Sequence, residues 1–223
     1  SSELNSTYLA WKAFDDVASD TSTNGWLSEG TTSGGPYNST GYIGSPTRNL
    51  GTESGGSATV NGEYLVLKMP HKVKVSYARM RHRYTSTQQA PTDGYFYGSN
   101  NGTDWQELKQ FSGIDWVANP TYTDIQINAT QAYNRLAIVP TREAQVLAQG
   151  DWIAIGELSY HGHRENDLVR LPDPTRVLKY PHIAMTGPAQ RGYVANVSSI
   201  LSSSYNAYSP FNGTSGVGNR LWI

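Results

Sequence analysis

The chain has 223 residues, enough for one sizeable β domain with an extension and too few for two full ones. Its 22 glycines, 15 tyrosines and 6 tryptophans, with only 16% charged residues, suit short strands joined by turns rather than amphipathic helices. A formal net charge of −1 gives no overall electrostatic drive toward nucleic acid or an anionic membrane, and the lack of cysteine excludes disulfides, thiol catalysis and thiolate metal sites.

In chain order, residues 17–62 are dense in turn signals ("DTSTNG", "EGTTSGGPYNSTG", "GTESGGSATVNG") and leave room only for brief apolar pieces. From Glu63 the alternation sharpens: "EYLVLKMP" predicts a strand that stops at Pro70. "KVKVSYARMRHRY" predicts the next strand, with Val73, Val75 and Tyr77 facing in and Lys72, Lys74 and Ser76 facing water. That reading of the one basic run is preferred to a polyanion site. "DGYFYGSN", "WQELKQF", "TDIQINAT", "YNRLAIVP" and "DWIAIGELSYHG" continue the series, and strands at this spacing predict an all-β sandwich or barrel. No apolar run approaches the ~18 residues of a membrane-spanning helix. After Gly162 four prolines interrupt a segment with little alternation, which leads to a short strand candidate, "YVANVSS".

The end of the chain repeats its beginning. At a fixed offset Ser1, Ser2, Leu4, Ser6, Tyr8, Ala10 and Phe14 recur as Ser198, Ser199, Leu201, Ser203, Tyr205, Ala207 and Phe211; Trp26 recurs, with a one-residue gap, as Trp222. Six N-x-S/T sequons begin at Asn5, Asn38, Asn101, Asn128, Asn196 and Asn212. They predict a secreted chain carrying N-linked glycans, against the alternative of unmodified turn residues.

Four segments in order, "YLAWKAFDD…NGW", "GEYLVLKMPHKVKVSYARMR", "GYFYGSNNGTDWQEL" and "YNRLAIVP…IGELSYHG", resemble the discoidin domain, the C-type domain of coagulation factors 5 and 8, over about residues 8–162. The resemblance implies an antiparallel β-sandwich jelly roll without catalytic activity, one that binds sugars, lipids or proteins through loops at one end. Trp11, Phe14 and Trp26 would close the bottom of that sandwich, and Gly102 would supply a positive φ in the turn before Trp105.

Discoidin-like chains open with a strand such as "GYVATASS", which is absent ahead of "YLAWKAFDD" here and reappears as "GYVANVSS" at residues 192–199. A sheet lacking an edge strand exposes unpaired main-chain groups. A strand from a neighbouring copy would fill the gap, and such head-to-tail donation builds a filament unless it closes into a ring. The sequence is therefore read as an extracellular structural glycoprotein. Residues 1–162 form the jelly roll, 163–185 a Pro-rich connector, and 186–223 a donor segment anchored by Tyr193, Val194, Val197, Tyr205, Phe211 and Trp222. The acceptor edge is expected beside Tyr64–Lys68 or Asn134–Val139. Two alternatives stay open for the tail: the start of a further tandem domain, or a strand that folds back on its own chain.

The competing function is a secreted carbohydrate-binding module or lectin. For it, Tyr42, Trp116 and Tyr122 are the candidates to stack on a sugar ring, unless they pack against the sandwich or a neighbouring subunit. The resemblance also implies a structural Ca²⁺ held by Asp15, Asp20, Thr23 and Glu157, unless Asp15 caps a turn and Glu157 bonds to the main chain. "HGH", His161 and His163, lacks a third zinc ligand nearby in sequence and reads better as a solvated edge. The partners expected are copies of the chain and glycans, not nucleic acid, with no membrane insertion and no enzymatic activity.

Overall fold

The computed structural model describes residues 9–16, 25–28, 35–38, 40–44, 49–51, 58–83, 89–116, 122–144, 152–165, 178–180, 189–190 and 192–197. These hold a 3₁₀ helix (Ala10–Phe14) and thirteen strands. The strands are β1 (Trp26–Leu27), β2 (Tyr37–Asn38), β3 (Gly41–Tyr42), β4 (Leu65–Arg81), β5 (Pro91–Ser99), β6 (Gln106–Phe111), β7 (Tyr122–Gln126), β8 (Tyr133–Glu143), β9 (Ala154–Ile155), β10 (Glu157–Arg164), β11 (Leu178–Tyr180), β12 (Ala189–Gln190) and β13 (Tyr193–Val197). Every pairing among them is antiparallel. The fold is the antiparallel β-sandwich jelly roll that the sequence predicts. No helix among the described residues is long and apolar enough to cross a membrane.

One strand belongs to both layers. Residues 65–68 of β4 lie between β8 and β13, whereas residues 77–81 lie between β10 and β7. The first sheet therefore runs β13–β4–β8–β5–β6 and the second β11–β10–β4–β7. Pro70 stands where the partners change and where the β8 register breaks, between Lys68 and Val73. Its missing N–H costs no ladder bond at such a corner. The strand expected to stop at Pro70 instead passes through it and changes sheets.

The core lies between the layers. Leu65, Leu67, Leu136, Ile138 and Phe96 from the first sheet meet Val73, Val75, Ala78, Met80, Leu158 and Tyr160 from the second. Trp11, Phe14 and Trp26 join the same cluster at 0%, 3% and 0% exposure, so the expected aromatic closure is present. Each indole removes roughly 200 Å² from water, about 5 kcal/mol before conformational entropy is charged against it. The first sheet is covered on its other face as well, where Tyr97, Ala137 and Val139 pack under Leu50 and Ala58 from the segment before β4.

A bulge interrupts β4. Tyr77 pairs with His161 and Val75 with Gly162, leaving Ser76 without a partner on β10. Inward positions therefore fall at Val73 and Val75, then at Ala78 and Met80, and Tyr77 turns to the outer face, contrary to the alternation expected for it. The Ser76 carbonyl accepts the N–H groups of Ile127 and Asn128 (2.9 and 2.8 Å), and Asn128 takes a left-handed φ of 53°. Across the bulge the backbones approach so closely that a Cβ on Gly162 would sit 2.2 Å from the Lys74 carbonyl oxygen. Gly162→Ala is expected to cost about 1–3 kcal/mol, read as a fall of several degrees in melting temperature; an unchanged melting curve would mean that the approach is looser.

The sheet edge predicted to receive a foreign strand is occupied by the chain's own. β13 runs antiparallel to β4 with Val194, Ala195, Asn196 and Val197 opposite Lys68, Leu67, Val66 and Leu65. Tyr193 enters the core at 0% exposure, its ring edge-on to His71 at 5.9 Å. Of the two expected edges, β13 takes the one at Tyr64–Lys68, and it pairs there within one chain, the fold-back alternative, rather than with a neighbouring copy. The physical reason is that a strand following a connector along the same sandwich satisfies the same main-chain groups without the cost of association. The expected connector contributes β11, paired to β10 with Tyr180 opposite Tyr160. Tyr205, Phe211 and Trp222 lie outside the described residues.

Candidate functional site

The outer face of the second sheet carries a set of polar and aromatic side chains. Residues opposite one another in antiparallel strands share a face, so the register builds a grid of three rows. Glu157, Arg81 and Tyr122 form the first, of which Glu157 and Arg81 are buried and Tyr122 is exposed, Ser159, Arg79 and Asp124 the second, and His161, Tyr77 and Gln126 the third. The bulge at Ser76 puts the β4 members of this grid outside.

The grid is tied together by polar and ring contacts. Arg79 donates from Nε and Nη2 to the two carboxylate oxygens of Asp124 at 2.7 and 2.8 Å. This forked bond holds the Asp124 carboxyl below its ordinary value and the guanidinium above its own. Arg79 also lies 5.8 Å from the ring centre of Tyr77 and 5.9 Å from that of Tyr122, and Arg81 lies 6.0 Å from the latter. Tyr77 and His161 stack face to face, 4.5 Å apart and 3° from parallel, and the His161 Nε2 is 3.0 Å from the Ser159 hydroxyl. Tyr122 is 44% exposed. Partial burial, then the nearby Glu157 carboxylate, push its hydroxyl up to about 12, so it stays a neutral donor across ordinary pH.

Beside Ser76 lies a groove of about 560 Å³, to which Lys74, Asn128, His163, Arg164 and Glu165 bring polar groups. At its end Lys72 pairs with Glu165 at 3.8 Å. A smaller cleft of about 400 Å³ lies at the β5–β6 turn, lined by Asn100, Asn101, Asp104, Trp105, Gln106 and Tyr133.

Of the three aromatic residues proposed from sequence, only Tyr122 presents its ring to solvent. Trp116 is buried in the core, its Nε1 donating to the Pro91 carbonyl at 3.0 Å and its ring edge-on to His82. Tyr42 is half-buried against the core, its hydroxyl donating to Glu63 (3.2 Å) and its ring edge-on to Tyr37. Neither side chain stands on a loop surface. Tyr77, Arg79, Asp124 and Ser159 were not anticipated; the one sequence signal for the face is the broken spacing of apolar residues around Ser76.

Among the four residues expected for calcium, Asp20 and Thr23 lie outside the described residues. Asp15 and Glu157 are both buried, and Glu157 accepts the Asp16 N–H at 3.1 Å. Lys12 is fully buried; burial lowers its ammonium to about 7 while Asp15 opposes that shift. Among the described residues no three metal-ligating groups converge, and two of the four expected calcium ligands lie outside them. His161 is engaged with Tyr77 and Ser159, and His163 lines the groove without completing a metal site among the described residues.

Of the sequons, Asn5 and Asn212 lie outside the described residues, and Asn196 lies in β13. Asn128 is exposed at the groove, and Asn38 accepts the Thr40 N–H and hydroxyl at 2.8 and 2.7 Å. Asn101 organises the β5–β6 turn: its carbonyl accepts the N–H groups of Thr103 and Asp104, and its amide donates to Asp104. Gly102 in that turn has φ 92°, as expected.

No family model and no curated protein matches the chain. Among solved structures it is similar to CBM32-2 of a family 31 glycoside hydrolase, bound to GalNAc, at 14% identity and a TM-score of 0.45 over 72% of this chain and 91% of that one. Similar too is CBM32-1 of a family 31 glycoside hydrolase from Clostridium perfringens, at 14% identity and a TM-score of 0.44 over 71% and 87%. A third is a family 32 module from Clostridium perfringens in complex with GalNAc-β-1,3-galactose, at 10% identity and a TM-score of 0.35; 43% of this chain is covered, spanning 62% of that module's length.

Proposed function

We propose that the chain is a carbohydrate-binding module without catalytic activity, and that its ligand lies along the outer face of the second sheet. The observation that carries this reading is the exposed ring of Tyr122 beside the Arg79–Asp124 pair, in line with the Tyr77–His161 stack. A pyranose presents a C–H face and a rim of hydroxyls. An exposed phenol ring accepts the first, and a carboxylate, a guanidinium and a neutral phenol hydroxyl held in fixed positions serve the second. The forked bond orients Asp124 before ligand arrives, so little side-chain freedom is lost on binding. Secretion and N-glycosylation belong to the same reading and rest on the sequons alone.

Screening the chain on a glycan array, beside Tyr122→Ala, tests this. Specific glycan signals are expected from the parent chain, weakened at least ~10-fold by the substitution, with an unchanged melting temperature because the ring is largely outside the core. An array without specific signals, or signals indifferent to Tyr122, would overturn the assignment of this face.

A further inference from the structure

The 3₁₀ helix ends at Asp15, and Asp16 follows it with a left-handed φ of 59°. Glycine is the usual residue just past a helix end with this backbone, and a side chain there costs stability. Non-glycine residues held in such conformations cluster at ligand-binding sites. The Asp16 N–H is fixed by a carboxylate oxygen of Glu157 at 3.1 Å, while the residue itself is exposed. Glu157, Arg81 and Tyr122 share the first row of the grid. Asp16 is therefore anchored at one end of the row that the exposed Tyr122 ring closes at the other. Charge acts between the two: burial and Glu157 push the Tyr122 hydroxyl up, Arg81 opposes them, and the Asp16 carboxylate adds to the rise.

Resting on the carbohydrate reading above, we propose that Asp16 sets the specificity of this face: its carboxylate accepts two neighbouring hydroxyls of a neutral sugar seated on Tyr122, and it turns away sugars that carry an acid of their own. A carboxylate offers two acceptor oxygens, the complement of a pair of adjacent hydroxyl donors. The bond from Asp16 N–H to Glu157 holds this stretch of main chain in place before ligand arrives, which limits the ordering cost of binding. The charges of this end point the same way. Among the described residues Arg79 is matched by Asp124, Arg81 stands opposite Glu157, and the buried Lys12 lies near Asp15. Each of these cations already has an acid beside it. A sugar carboxylate or sulfate arriving here meets the exposed Asp16 instead.

A glycan array that sets neutral galactosides and glucosides beside counterparts bearing a uronate or a sulfate tests this, with the full chain, Asp16→Asn and Asp16→Gly. The parent chain is expected to bind neutral glycans at least ~10-fold more strongly than their acidic counterparts. Asp16→Asn keeps the main-chain N–H and removes the charge, so neutral binding should fall and the discrimination against acids should disappear. Asp16→Gly removes the acceptor altogether and suits the left-handed backbone. Neutral binding should then fall at least ~10-fold, with a melting temperature that is unchanged or raised by up to ~4 °C. A residue that only shaped the turn would leave binding intact in both variants. Acidic counterparts bound as well as neutral ones, or neutral binding indifferent to both substitutions, overturns the role of Asp16 and leaves the carbohydrate reading standing. Failure of every glycan on the parent chain overturns both.

Discussion

Replacing Tyr193 by alanine is expected to cost about 3–5 kcal/mol, the range for removing a large ring from a packed core. For a chain of this size that is a fall of roughly 6–20 °C in melting temperature. The side chain is fully buried in the main cluster, next to Leu67 and Met69 of the strand that β13 extends, and β13 also packs against the 3₁₀ helix. Losing the ring opens a cavity at the junction of strand, helix and corner. The same pairing predicts one copy per particle: the full chain should sediment as a monomer at low and high concentration, since the edge of β4 is already hydrogen-bonded. Calorimetric melts and sedimentation velocity on both proteins check the two statements. A multi-copy assembly that dissociates on Tyr193→Ala would show that the strand is exchanged between copies after all.

How much of this was legible beforehand varies with the distance over which the information acts. The aromatic closure by Trp11, Phe14 and Trp26 was readable because residue type alone drives such rings inside. The acceptor edge was readable only as one of two, Tyr64–Lys68 or Asn134–Val139; the structure puts β13 at the first, because β8, which holds the second, is already paired on both sides by β4 and β5. Whose strand fills it was not, since pairing within a chain and between chains uses the same main-chain hydrogen bonds. Trp116 looked like a binding residue because it follows a turn-rich run. Its partner, the Pro91 carbonyl, is 25 residues away and nothing local announces it. The outer face is the extreme case: Arg79 meets Asp124 at a separation of 45 residues, and Tyr77 meets His161 across a different pair of strands. Only the tertiary register assembles that grid.

The bulge was readable in part, and it carries the last prediction. Apolar residues stand at Val73, Val75, Ala78 and Met80, a spacing that a regular two-residue repeat cannot place on one face. Tyr77 masked the break because a tyrosine suits either face. Deleting Ser76 makes Tyr77 follow Val75 directly and restores strict alternation, so the inward set is kept and the jelly roll should still fold. What is lost is the Ser76 carbonyl, acceptor to the Ile127 and Asn128 N–H groups, and the nearby bond from the Ala129 N–H to Val75 is disturbed. At about 1 kcal/mol for each bond, the deletion should cost roughly 2–3 kcal/mol. Ser76→Ala, which keeps the carbonyl, should cost under about 0.5 kcal/mol. Amide exchange at Ile127, Asn128 and Ala129 should accelerate in the deletion and stay slow in the alanine variant. Equal behaviour of the two variants would mean that the bulge does not anchor residues 127–129, and the face would owe its geometry to the side chains alone.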